Sequence, residues 1–202
     1  NSRNFKFIAK QNKRRLYPLV DDKVQTKALA LQYGINTPRL IGTINYQHEV
    51  DRLPLLVKDW PSFVIKPAHG SGGKGVLVIK SHDGETFVTP SGLTYKEIYQ
   101  HISNTLSGLY SLGGQYDTAV IEEMVNFSHI FDSYSYQGIP DVRIIVYKGY
   151  PVMAMTRLAT AASGGRANLH QGAVGVGLDI KTGKTLKAVM RNMPITHHPD
   201  TN

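Results

Sequence analysis

Phe63-Val64-Ile65-Lys66-Pro67-Ala68-His69-Gly70-Ser71-Gly72-Gly73-Lys74-Gly75-Val76-Leu77-Val78-Ile79-Lys80 is the stretch whose reading decides the fold. Glycines at this density let the backbone come close to an anion and aim several N–H groups at phosphate oxygens. Three loop types compete. A P-loop needs G-x-x-x-x-G-K-[ST], but Ala68 stands where the first glycine belongs and Gly75 follows Lys74, so that reading fails. Gly70, Gly72 and Gly75 satisfy G-x-G-x-x-G, yet a dinucleotide fingerprint must open a helix. Here the loop runs into the β-branched Val76–Ile79. What remains is a strand–glycine loop–strand hairpin that folds over phosphates, with a flexible structural hairpin as the competing reading. Lys66, beside the apolar Val64 and Ile65, needs a partner for its charge and is placed to neutralise a phosphate.

Outward from the loop, the chain reads as mixed α and β. Toward the N-terminus, Asp22 with Gln25 resembles a capping box ahead of a helix over about 22–33, with Val24, Ala28 and Leu31 as its apolar face and Gly34 and Pro38 as its stop. Arg39 to Ile44 reads as a short strand. Past the loop, Thr86–Thr89 is a strand reached through the turn His82-Asp83-Gly84, and Thr94 with Glu97 caps a helix striped by Tyr95, Ile98, Ile102 and Leu106. Ala119-Val120-Ile121 is a further buried strand. Val142–Tyr147 and Tyr150–Leu158 flank Lys148-Gly149, a two-residue hairpin turn. Alternation there puts Asp141, Arg143 and Ile145 on one side and Val142, Ile144 and Val146 on the other. A last hairpin joins Val174–Ile180 to Thr185–Met190.

Composition narrows the classes. The 202 residues are 41% hydrophobic and 19% charged, which fits a folded globular chain rather than a disordered one. No apolar run approaches the roughly 20 residues of a membrane span and no signal-like h-region opens the chain. The absence of cysteine excludes disulfide scaffolds, thiolate metal sites and cysteine nucleophiles, and is compatible with a reducing, cytoplasmic compartment. The formal charge of +8 is concentrated at one end. Residues 1–27 hold eight basic side chains against Asp21 and Asp22, while the remainder carries 15 basic and 13 acidic residues. Such an arm attracts phosphate-rich partners, though a solvated arm or support for an anionic nucleotide is the simpler reading, and nucleic acid is not the expected partner. The histidines show no metal-ligand spacing: His170 is a weak ligand candidate, and His197 and His198 read as solvent-facing. Met153 and Met155 read as strand core.

The kinase motifs H-R-D and D-F-G are absent. The ordered set Asp22-Lys23, Val64-Ile65-Lys66-Pro67, Gly70–Gly75, Val120-Ile121-Glu122-Glu123-Met124-Val125, Asp141-Val142-Arg143 and Arg166-Ala167-Asn168-Leu169-His170-Gln171-Gly172 resembles the ATP-grasp superfamily. Within it the closest likeness is to the α-L-glutamate ligase-like proteins related to ribosomal-protein glutamate ligases. The resemblance runs from about Leu16 to the end. It implies an α+β ATP-grasp fold of two lobes with a nucleotide cleft between them. Under it the chain divides into a basic arm (1–15), the N-terminal part of the core (16–59), a glycine-flap lobe (60–125) and a C-terminal core lobe (126–202).

The resemblance also implies the site. Lys23 and Lys66 reach the phosphates, together with the loop residues Gly70, Ser71, Gly72, Gly73, Lys74 and Gly75. Glu122, Glu123, Met124 and Val125 form the hinge that reads adenine, Glu123 accepting a hydrogen bond there. Asp141 is the ribose-side residue. Arg143, Arg166 and Asn168 hold phosphate or the acyl phosphate; Arg157 and the Ser163-Gly164-Gly165 loop are weaker candidates for the same cleft, and a surface pair is the competing reading of Asp141 and Arg143. The implied activity is ATP-dependent carboxylate–amine ligation with ATP, a carboxylate and an amino acid such as glutamate as reactants. The alternatives are an ATP-binding module without chemistry and, behind it, a nucleic-acid binder using the basic arm.

Family members hold magnesium with an Asp and a Glu-x-Asn pair on C-terminal strands. After Arg143 this chain has only Asp179 and Asp200 as acids, and Asp179 reads as a turn residue. No metal ligand is therefore assigned, the Mg²⁺ ligands are expected beyond residue 202, and the C-terminal part is expected to be incomplete, a piece of a longer ligase.

Overall fold

The computed structural model describes residues 2–83, 86–111 and 113–201. The chain divides into two compact units, Asn1–Val125 and Asn126–Asn202, and the fold is α+β.

The first unit is built on a four-stranded antiparallel sheet in the order β1 (Leu40–Ile44), β6 (Ala119–Glu123), β2 (Phe63–Pro67), β3 (Leu77–Ile79). A two-stranded ribbon, β4 (Ser81–His82) with β5 (Phe87–Val88), adjoins it in sequence. Gly84 of the expected turn lies outside the described residues. Strand alternation sorts the sheet. Phe63, Ile65, Leu77, Ile79, Ala119 and Ile121 point to one side, where Ile98, Ile102 and Leu106 of the Tyr95–Leu106 helix close the core. Each fully buried side chain of this kind contributes roughly 1.5–3 kcal/mol. Phe87 stacks between His82 and Tyr95, at 5.2 and 5.3 Å, and extends that core under the ribbon. Val64, Lys66, Val120 and Glu122 point to the other side, which is where the charged groups gather.

The helix caps form where the local chemistry sets them. Thr94 Oγ1 accepts from Glu97 N and Glu97 answers on Thr94 N, a reciprocal box. Asp22 caps the Lys23–Gln32 helix through Val24 N at 2.8 Å, while the Gln25 side chain reaches its second oxygen. The inward side of that helix differs from the apolar stripe expected of Val24, Ala28 and Leu31. Ala28 is exposed, Leu31 is 65% exposed, and Lys27 is buried instead. The helix lies against the charged side of the sheet, so an ion pair, not a methyl stripe, sets its rotation.

The second unit is an antiparallel meander ordered β11 (Met193–Ile195), β10 (Thr185–Met190), β9 (Val174–Leu178), β8 (Tyr150–Leu158), β7 (Asp141–Tyr147). Lys148 and Gly149 both take positive φ, 51° and 86°, the twist a two-residue hairpin needs. Asp179 ties the next turn, accepting from Thr182 N at 2.8 Å and Lys181 N at 3.1 Å. Two expectations need correction, and one strand is additional. Met153 is 57% exposed rather than core. β11 was not anticipated. His198 is half-buried, donating from Nε2 to the Ala159 carbonyl at 3.0 Å and accepting from the Asp200 and Thr201 amides, so only His197 is exposed as expected.

Candidate functional site

In the first unit, β2 and β6 are direct neighbours with Phe63 opposite Glu123 and Lys66 opposite Val120. Lys66 and Glu122 share the charged side of the sheet and form an ion pair. The other Glu122 oxygen lies 2.9 Å from Lys27 Nζ, both side chains being under a tenth exposed. Lys27 also donates to the Pro38 carbonyl. One helical turn earlier, Lys23 Nζ donates to the carbonyls of Ala68, at 2.9 Å, and Gly70, at 2.7 Å, while its backbone N–H also meets Ala68 O. Burial and the neighbouring Lys66 ammonium push the Lys23 pKa below the ordinary lysine value, against the pull of Asp117, Asp22 and Glu122.

The glycine loop is pinned at both ends and open in the middle. At its start, buried Asp117 accepts from His69 N and, at 2.8 Å, from His69 Nδ1, and Ala68 N continues the pairing to Thr118 O. His69 Nε2 stands 3.8 Å from the Asp22 carboxylate. Burial raises the Asp22 pKa, but hydrogen bonds from Gln25 and Val24 and the nearby His69 outweigh it and hold the carboxyl below its usual range. At the far end, His101 Nε2 donates to the Gly75 carbonyl at 3.0 Å and its ring stacks on Tyr110. Burial lowers the His101 pKa despite that bond. Gly72, Gly73 and Gly75 have φ between 65° and 76°, the region side chains avoid, and Ser71 to Lys74 are exposed. A Cβ on Gly70 would fall 2.3 Å from Pro67, so the tight exit from β2 requires glycine there.

Past β6 the chain runs through Met124 and Val125. The Glu123 carboxylate is already engaged: Oε1 accepts from Arg39 N at 2.8 Å, while Glu123 N donates to Arg39 O. The Arg39 guanidinium in turn sits 5.1 Å over the Trp60 ring. Side chain and backbone together thus fix the path of the chain at Glu123, ahead of Met124 and Val125.

Residues 2–202 match the family described as sugar-transfer associated ATP-grasp. The chain belongs to the ATP-grasp superfamily. A search of curated proteins finds no match. ATP-grasp proteins are ATP-dependent, ligase-type enzymes, and the strand–glycine loop–strand arrangement with its flanking lysines is the element on which the sequence first pointed there.

The candidate residues of this ATP-grasp chain fall into two groups. Lys23, Lys66, Glu122 and the loop Gly70–Gly75 come together in the first unit. In the second, the Asp141 carboxylate is held by Arg157 opposite it on β8, Nε to Oδ1 at 2.7 Å with a second bond from Nη2. Arg157 therefore takes the position that a pair with Arg143 would have filled, since Arg143 faces Met155. Hydrogen bonding to Asp141 raises the Arg157 pKa, outweighing the effect of burial. Arg143 and Arg166 are exposed and make no ion pair among the described residues. Asn168 Oδ1 accepts from His170 N at 3.1 Å, capping the Leu169–Gln171 turn, so its side chain has a structural use.

Lys27, Arg39, His69, Asp117 and His101 were not singled out from sequence. Only Lys27 carried a local signal, its i, i+4 spacing from Lys23. Among the described residues no group of three or more His, Asp or Glu side chains is arranged to hold a metal. Among the described residues no helix is long and apolar enough to cross a membrane.

Proposed function

We propose that the protein is a carboxylate–amine ligase working through an acyl phosphate, with ATP held in the first unit. The supporting observation is the Lys23–Lys27–Lys66–Glu122 cluster beside the open glycine loop. Lys27 and Lys66 share the Glu122 carboxylate, Lys23 Nζ is held beside them on the Ala68 and Gly70 carbonyls, and ammonium groups gathered this way at the root of the loop suit a triphosphate, while Ser71 to Gly73 offer backbone N–H groups to its oxygens. In this reading Lys23 and Lys66 reach the phosphates. The backbone of Glu123, Met124 and Val125 reads the adenine edge, with Glu122 holding Lys66.

The chemistry balances without an enzyme nucleophile. A substrate carboxylate oxygen attacks the γ-phosphorus and ADP leaves. The amine nitrogen then attacks the acyl carbon, phosphate leaves, and the amine's proton passes to solvent. Cations and amide donors aimed at the transferred phosphoryl oxygens lower the barrier where charge develops. Glutamate or a similar amino acid supplies the amine, following the glutamate-ligase likeness of the motifs. The family description favours a carbohydrate-linked acid as its partner.

The test is calorimetric titration with ATP and GTP, followed by ADP release across a panel of amino acids and sugar-linked acids with hydroxylamine present. Acid-dependent hydroxamate is the expected product, since hydroxylamine traps an acyl phosphate. ATP binding without hydroxamate for any acid would instead mark a nucleotide-binding module, and failure to bind ATP would overturn the site.

A further inference from the structure

Residues 3–20 take no part in the site above, yet they carry the densest charge in the chain. Arg3, Lys6, Lys10, Lys13, Arg14 and Arg15 occur there without one acidic residue before Asp21. The segment is helical over Asn4–Ile8 and Ala9–Gln11, turns again at Arg14–Leu16, and buries none of those residues. Its apolar side chains are exposed as well: Phe5 by 73%, Ile8 by 42% and Val20 by 72%. Phe5 and Ile8 are exposed on the short helical run Asn4–Gln11, which also carries Lys6 and Lys10, with Arg3 at its start and Lys13, Arg14 and Arg15 just beyond it, so one surface segment presents apolar and cationic groups together.

We propose that this segment docks on an anionic phospholipid surface, its cations at the headgroup phosphates and Phe5 and Ile8 at the acyl boundary. Charge complementarity requires a polyanion as the partner, and the apolar residues select which one. Leu16 and Val20 join Ile8 as exposed aliphatic groups that have no π-face to stack on bases, so a nucleic acid would leave them in water. A bilayer takes up aliphatic and aromatic groups alike. The surface is interfacial and entails no spanning element.

The experiment is co-sedimentation of the protein with phosphatidylcholine vesicles, with and without phosphatidylglycerol, at low and high salt, beside a mobility-shift assay on duplex and single-stranded DNA. Binding is expected only with phosphatidylglycerol, weakened by salt and by about fivefold for each cation removed in Lys6→Gln and Lys10→Gln. Phe5→Ser with Ile8→Ser should reduce vesicle binding at an unchanged melting temperature, because both residues lie outside the core. The proposal is overturned by no vesicle binding, by equal binding to the zwitterionic vesicles, by vesicle binding indifferent to Phe5→Ser and Ile8→Ser, or by salt-sensitive DNA binding as tight as that to the anionic vesicles.

Discussion

Lys66 and Glu122 form an ion pair across neighbouring strands, and the second oxygen of the same carboxylate holds Lys27. This one acid joins the strand that leads into the glycine loop, the strand that leads into the 123–125 segment, and the helix that carries Lys23. A carboxylate divided between two cations leaves each ammonium partly uncompensated. On the reading proposed above, that residual positive charge is what Lys66 turns toward phosphate.

Glu122→Gln should therefore be costly to the fold. Removing the shared partner strands Lys27 in a site where its side chain is only 8% exposed, a situation that costs about 3–5 kcal/mol. In a domain of this size that lowers the melting temperature by on the order of 10 °C. Differential scanning calorimetry checks it. A double change, Lys27→Met with Glu122→Gln, should recover part of the loss, because it removes the stranded charge as well.

Lys66→Ala should have the opposite balance, a small effect on melting and a large one on nucleotide affinity. Lys66 is more exposed than Lys27 and Glu122 keeps one cation without it. A charge-assisted contact to phosphate contributes roughly 1.5–3 kcal/mol, so ATP affinity measured by calorimetry should fall about 10- to 100-fold. Unchanged affinity would remove Lys66 from the site.

The elements that were readable from sequence are those set by neighbours along the chain. Asp22 and Thr94 cap helices through residues two and three positions on, and Lys148-Gly149 sets its hairpin by backbone twist alone. The glycine loop was legible for the same reason, its density of glycine being a local property. Lys27 was passed over because helical periodicity looks for apolar residues on the inward face, and only the distant Glu122 makes burial of its ammonium possible. Asp117 and His101 likewise act on the loop from outside its sequence neighbourhood. Alternation along β7 carried no information on which partner Asp141 would find, and the register across β8 made it Arg157.

If Lys23 meets phosphate as proposed, ATP binding should be pH-dependent. Its pKa lies below the ordinary lysine value through burial and the Lys66 charge, and phosphate oxygens beside it would raise that pKa again. The bound form then holds the proton more tightly than the free form. Affinity is full below the free-state pKa and falls as pH rises through it, with proton uptake on binding in that window. Calorimetry at alkaline pH in two buffers of different ionisation enthalpy reads the uptake. Lys23→Arg should abolish it, because a guanidinium does not titrate there; uptake that persists in that variant would place the titrating group elsewhere.

Gly75→Ala separates the loop's geometry from its chemistry. Gly75 sits at φ +72°, and a Cβ there would fall 2.6 Å from the Tyr110 ring, the ring that stacks on His101. Alanine must therefore pay the left-handed backbone cost of about 1–2 kcal/mol and also displace Tyr110, which loosens the His101 hold on the Gly75 carbonyl. Gly92→Ala is the control, since Gly92 has φ +71° and nothing within 4 Å of the added carbon. Both variants should melt lower, but only Gly75→Ala should weaken ATP binding, because only there does the strain fall on the anchored end of the loop. Equal nucleotide affinity in the two variants, read by calorimetry, would show that the His101–Tyr110 anchor does not position the loop for phosphate.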